Sequence, residues 1–234
     1  MTVDELAREQ AILDAAAELL CRIGYNKLTM GDVAEAVALH RGLVYLQFKS
    51  KDELVEATVR RELGRYAQAW RAHLLADPHA GSVASVYRAM VHTLSRLPLA
   101  AAIVARDPDI LGKYPVKPGN VFERLAKTGT RDFLRAMQEA GTLRPEVDVK
   151  TTAYILDALT PAIRRTLPIG HAAPADPEQP SADQLLETLA DLLERALTPD
   201  GADLARGKTL LLDELAHAHA EFDATPNRQE GKLA

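Results

Sequence analysis

Apolar residues recur along this chain at spacings of three and four, in stretches separated by clusters of glycine and proline. That period matches a helix with one buried face, whereas a half-buried strand needs strict alternation. Alanine and leucine dominate the stretches and runs of β-branched residues are rare, so local propensity agrees with the period. The fold class read from this pattern is all-α.

The first predicted helix runs from Val3 to Ile23, with Ile12, Leu13, Ala16, Leu19, Leu20 and Ile23 as its stripe and Gly24 at its C-terminal cap. A second opens at Thr29, whose hydroxyl and the carboxylate of Asp32 form a capping-box pair, and buries Val33, Ala34 and Val37. After a turn at Ala38 and Leu39, a third carries His40 to Phe48 with Val44 and Phe48 on one side. Ser50 and Glu53 mark the next start. Longer helices follow at Asp52–Leu75 and Val83–Leu97, then a short one at Leu99–Arg106. Residues 107–119 read as a loop, and Val121–Ala140 and Val149–Leu167 as helices. A proline-rich connection spans 168–181, Ala182–Leu197 is helical, and Leu204–Phe222 is a last amphipathic helix. Pro161 predicts a kink inside its helix.

Charge narrows the function. The net charge of −5 argues against indiscriminate nucleic-acid binding. Yet residues 39–51 carry +3, from Arg41, Lys49 and Lys51, while residues 1–38 carry −4. Positive charge is thus confined to one edge of a short helical pair, as contact with phosphates requires. Two rigid helices, the second exposing a face, are the geometry of a helix-turn-helix that reads the major groove. The exposed face would carry His40, Arg41, Leu43 and Gln47.

Other classes find little support. Cys21 is the sole cysteine, so no internal disulfide forms, and it is read as inert. His217 and His219 are two apart and point to different sides of a helix, so no metal site is expected. No phosphate-cradling glycine loop, HExxH or GxSxG pattern occurs, and no cofactor or catalytic role is expected. The longest apolar run, 97–105, is too short to span a bilayer, and the N-terminus has no apolar signal core, so a cytoplasmic protein without a membrane partner is expected.

The run from Leu28 to Leu54, most of all Gly42, Tyr45 and Phe48 followed by Lys49-Ser50-Lys51, resembles the DNA-binding domain of the TetR family of bacterial regulators. The likeness begins at Ile12-Leu13-Asp14-Ala15-Ala16 and Gly24-Tyr25. It implies a DNA-binding domain at 1–51, a helical effector-binding and dimerisation domain at 52–222 and a disordered tail at 223–234. It also implies roles. Thr29 would cap the second helix beside a phosphate, Arg41 and His40 would face bases or backbone, and Gly42 would permit close approach. Tyr45 and Lys51 would bind phosphates. Gln47 and Lys49 complete the DNA-facing set.

Three positions depart from the family pattern. Ala38 stands where glycine is usual in the turn, His40 replaces a serine or threonine cap, and Leu43 replaces a small polar residue and is placed to meet a thymine methyl.

The resemblance further implies a homodimeric repressor on a palindromic double-stranded operator, released by a small, largely apolar effector. Trp70, Tyr87, Met90, His92, Phe122, Phe133, Met137 and Tyr154 are the expected effector-binding residues, with His92, Thr128, Arg131 and Asp157 as polar anchors. The alternatives are a constitutive DNA-binding protein without a ligand and a helical enzyme.

Overall fold

The computed structural model describes residues 3–122, 130–166 and 182–223, and every regular element among them is helical. Three helices form the head: α1 (Val3–Lys27), α2 (Met30–Ala36) and α3 (Arg41–Gln47). Helix α4 (Lys51–Ala76) leads into the body. There follow α5 (Val83–Leu94), α6 (Pro98–Val104), α7 (Pro108–Leu111) and a single 3-10 turn at Tyr114–Val116. The body closes with α8 (Thr130–Glu139), α9 (Val149–Thr166), α10 (Ala182–Leu197) and α11 (Leu204–Asp223).

Local chemistry sets the starts. Thr29 and Asp32 form the expected capping box: Thr29 Oγ1 accepts from the Asp32 N–H at 3.2 Å, and Asp32 Oδ2 accepts from the Thr29 N–H at 2.8 Å. Ser50 caps α4 through the Glu53 N–H, while Glu53 reaches back to the Lys49 N–H. Asp148 caps α9 through the N–H groups of Lys150 and Thr151. Gly24 takes φ 73°, which ends regular α1 geometry where the sequence placed its cap, although a further turn continues to Lys27. A Cβ at Gly24 would also overlap the carbonyl oxygen of Asp109, so glycine lets α7 press against the end of α1.

Residues 107–119 are more ordered than the loop expected, since they hold α7 and the 3-10 turn. Asp107 caps α7 through the Asp109 N–H, and Pro108 sits at its first position, so the prolines that suggested a loop instead start short helices. Of the helix expected at 121–140, residues 123–129 lie outside the described part, as do residues 167–181, which include the proline-rich connection expected at 168–181, and the tail from 224. Helix α9 continues through Pro161 to Thr166.

Two cores result. The first gathers Ile12, Leu20, Val33, Val44 and Phe48 of the head with Leu54, Val59 and Leu63 of α4, and extends into the body through Leu99, Ile103, Leu111, Tyr114 and Phe122. The second lies wholly in the body, around Leu74, Tyr87, Leu134, Met137, Leu156, Leu211 and Leu215. Helix α11, whose role the sequence left open, packs along α4 of its own chain. Lys208 Nζ donates to the carbonyls of Leu75 at 3.2 Å and Asp77 at 2.7 Å, so α11 closes the C-terminal end of α4.

Candidate nucleic-acid interface

The face that α3 offers to solvent follows from its phase. Val44 is fully buried, and at about 100° per residue the positions most nearly opposite it are 42 and 46. Gly42 is accordingly exposed, Tyr45 is 46% exposed and Leu46 is 80% exposed, while Arg41 is exposed because it stands at the first position of the helix. Leu43 and Gln47 flank the buried side and are half-buried. The exposed apolar residue on this helix is therefore Leu46 rather than the Leu43 singled out in the sequence. Helix phase counted from Val44 was the signal that marks it.

His40 occupies the N-cap of α3 and makes no side-chain capping bond, in keeping with its departure from serine or threonine. Ala38 takes φ 51°, the left-handed conformation expected where the family carries glycine. Arg41 folds back over the first turn of α2. Its guanidinium lies 3.1–3.2 Å from where a Cβ on Gly31 would stand. Thr29, His40, Arg41 and Lys49 are exposed, so the cationic and hydroxyl groups of the head reach solvent together.

Behind this face the head is tied to the body. Lys51, at the first turn of α4, places its ammonium 4.2 Å from the Tyr25 ring centroid. Lys117, from the segment after the 3-10 turn, sits 5.3 Å from the same ring and pairs with Asp52 at 2.6 Å. The Tyr25 hydroxyl donates to the other oxygen of Asp52 at 2.5 Å. The Lys117 and Tyr25 hydrogen bonds hold the Asp52 carboxyl below the usual range. The bond to Asp52 raises Lys117. Burial is the main cause that lowers Lys51 and raises Tyr25.

Deeper in, Tyr114 lies 5.8 Å from Tyr25, ring to ring, and its hydroxyl donates to Glu56. Glu56 also accepts from Arg60 at 2.6 Å and from the Val121 N–H at 3.3 Å. Asn120 fixes the connecting segment by donating to the carbonyls of Tyr114 at 2.8 Å and Lys117 at 2.7 Å. Sequence reasoning missed Lys117 and Tyr114, because they lie more than fifty residues from Asp52 and Glu56, and with them Asn120, which holds their segment.

The expected effector residues are not brought into one place. Tyr87, Met137 and the half-buried Phe133 belong to the body core, where the Tyr87 hydroxyl meets Thr160 at 2.7 Å. Trp70 and Met90 sit at the edge of that core. Phe122 belongs to the first core, with the Arg106 guanidinium 5.6 Å from its ring. His92 is exposed, with its ring 4.8 Å from that of His73. Tyr154 is 78% exposed on α9, beside Ile155 at 55%. Of the expected polar anchors, Arg131 and Asp157 are exposed and Thr128 lies outside the described residues. Burial pushes the Cys21 thiol up to about 11, with the Glu62 carboxylate adding to it, which keeps the thiol protonated and inert. Among the described residues no helix is long and apolar enough to cross a membrane, and no cluster of three metal-ligating side chains forms.

The family model for bacterial regulatory proteins, tetR family, matches residues 12–58, the span of α1 to the start of α4 just described. The head carries a TetR-family DNA-binding domain. It is 24% identical over 198 residues to the HTH-type transcriptional repressor Rv1474c of Mycobacterium tuberculosis, covering 82% of this chain and 93% of that protein. It is also 24% identical over 156 residues to the HTH-type transcriptional regulator UidR of Escherichia coli, covering 64% and 76%. Such TetR proteins are transcription regulators rather than enzymes. Among solved structures, a gamma-butyrolactone receptor (ArpA-like protein) matches with a TM-score of 0.56 and 18% identity over 92% of this chain and 99% of that one. The ketosteroid transcriptional regulator KstR2 of Mycobacterium tuberculosis matches with a TM-score of 0.53 and 17% identity over 82% and 96%. These two likenesses concern the fold, and they extend it across the body as well as the head.

Proposed function

We propose that this chain is a homodimeric TetR-family repressor that holds a palindromic operator with two copies of α3 and releases it when a small, largely apolar effector enters the body. The observation that carries the reading is the junction at Tyr25. There Lys51, beside the DNA-facing surface, and Lys117, from the body, share one aromatic ring and one carboxylate. A shift of the segment holding Lys117 alters the surroundings of Lys51 directly.

In this reading, Arg41, Tyr45, Lys49, Lys51 and Thr29 meet phosphates or bases, with Gly42 allowing close approach. His40 and Leu46 complete the contact face, and Leu43 and Gln47 support it from the side. The dimer forms through α9 and α10, which expose Tyr154, Ile155 and Leu192, the last at 61%. Tyr154 thus belongs to the subunit contact rather than to an effector site. The effector residues narrow to Trp70, Tyr87, Met90, Phe133 and Met137 in the body. Residues 52–222 form the sensing and dimerising part of a cytoplasmic protein. Relatives named as a repressor, a gamma-butyrolactone receptor and a ketosteroid regulator support this assignment.

The test takes the full chain, a duplex selected by it from a random library, and a panel of lactones and steroids. A compound that raises the thermal midpoint should also loosen DNA binding about 5–150-fold, the usual range of allosteric coupling. Ligands that stabilise the protein yet leave DNA affinity unchanged would refute release by an effector.

A further inference from the structure

The indole Nε1 of Trp70 is buried and has no hydrogen-bond partner among the described residues. Trp70 stands on α4, with its ring 5.5 Å from that of Tyr66. It occupies the seam where the body core meets a small cluster of Tyr66, Leu94, Ala100 and Ala101, and Met90 lies at the same seam. Among the described residues, no group of that seam, the Tyr66 hydroxyl included, comes within hydrogen-bond distance of the indole N–H. A buried donor that has lost water and gained no acceptor is a rare and costly arrangement in a native interior. Two other buried polar atoms share this condition, but they differ in kind. Arg61 Nε belongs to a guanidinium already paired through Nη2 with Asp14 at 2.9 Å. Thr198 Oγ1 lies just beyond the end of α10, away from the seam. The Nε1 atom is the only polar atom of the Trp70 side chain, so nothing else on that side chain compensates.

We propose that the Trp70 indole N–H donates to a carbonyl oxygen of the effector, which is therefore an apolar molecule carrying a ketone, ester or lactone group. The assignment rests on the reading of the body as an effector-binding unit. Complementarity selects the class. A carbonyl supplies lone pairs and brings no donor of its own. An alcohol would bury an O–H among mostly apolar side chains, and a carboxylate would bury a full charge there. The neighbouring aliphatic residues then cover the rest of the molecule, as in other mostly apolar sites with few polar contacts.

Trp70 is the sole tryptophan, so its indole N–H gives a single resonance in a 1H–15N spectrum of the labelled full chain. The probes are 2-alkanones of increasing length and their 2-methyl-1-alkene isosteres, in which C=CH2 replaces C=O. The ketones should move the indole resonance downfield and bind about tenfold tighter than the alkenes. Trp70→Phe, which keeps an aromatic ring, should abolish that preference. Equal binding of the two series, a preference that survives Trp70→Phe, or ketone binding that leaves the indole resonance in place would overturn the assignment while leaving effector binding intact. Binding of neither series, by thermal shift and by the spectrum, would overturn the effector reading along with it. The wild-type resonance carries the test even if the variant fails to fold.

Discussion

Lys117 reaches across from the body to Asp52 at the foot of α4, 2.6 Å between Nζ and Oδ2, and with Lys51 it frames the ring of Tyr25. The pair is partly exposed, so it serves as a positional tie and adds little to stability. Lys117→Met should change stability little. It should nonetheless speed amide hydrogen exchange at residues 112–120 and weaken the link between effector binding and DNA release. Unchanged coupling in a DNA-binding titration with effector would remove Lys117 from the route.

The same tie has a defined pH window. The Asp52 carboxyl is held below its ordinary value of 3.8, so its contribution is present above that value and fades as pH falls through the lowered one. Lys117 is raised above 10.5, so its contribution is complete below that value and fades as pH rises through the raised one. Between about pH 5 and pH 9 the pair should stay intact. Hydrogen exchange at 112–120, corrected for its intrinsic pH dependence, should be flat over that range, whereas a step near neutrality would contradict the pairing.

Glu56 is a stronger test of how the head is fastened. It accepts from Tyr114, Arg60 and the Val121 N–H, and its side chain is mostly buried. Glu56→Ala deprives all three donors of their acceptor and should cost about 2–3 kcal/mol in chemical denaturation. Tyr114→Phe should cost less, about 1 kcal/mol, because it removes one bond.

Ala38, at φ 51°, points the other way. Ala38→Gly relieves the left-handed strain and gives back part of the gain to the entropy of the unfolded chain, for a net stabilisation of about 0.5–1 kcal/mol. A fall in the thermal midpoint would show that the turn conformation is not the one described.

Helix α11 is integral to the body. Gly207 lies so close to Gly81 that a Cβ would overlap the Gly81 carbonyl oxygen, and Leu211 and Leu215 are buried. Gly207→Ala should destabilise by more than about 2 kcal/mol. Truncation after Thr198 should lower the thermal midpoint sharply instead of acting only on oligomer mass.

Local features were the legible ones. The Thr29–Asp32 box, the Gly24 break, the strained Ala38 and the weak His40 cap each depend on residues within one turn, and the sequence shows them directly. The exposed face of α3 was legible in part: His40 and Arg41 are exposed as expected, while Leu43 and Gln47 are half-buried and the exposed Leu46 was overlooked because the phase was not counted from Val44. The junction was not legible. Tyr25 and Asp52 are 27 apart, and Lys117 is 65 from Asp52, so it takes the packing of both α4 and α7 on α1 to bring them together. Tyr154 lies 78% exposed on α9, where the proposed dimer would cover it. An aromatic residue at helical spacing marks an apolar face, and a face covered by a second subunit looks the same in sequence as one covered by a core.

DNA binding itself is the most direct test. Fluorescence anisotropy of the selected duplex, across a series of salt concentrations, should give saturable binding at one dimer per palindrome with a steep negative salt slope. Lys49→Gln should reduce the slope by about one, and Tyr45→Phe should weaken binding with the fold unchanged. A duplex bound no better than random DNA, or affinity indifferent to Arg41→Ala, Tyr45→Phe and Lys49→Gln together, would contradict the assignment of α3 as the DNA-reading helix.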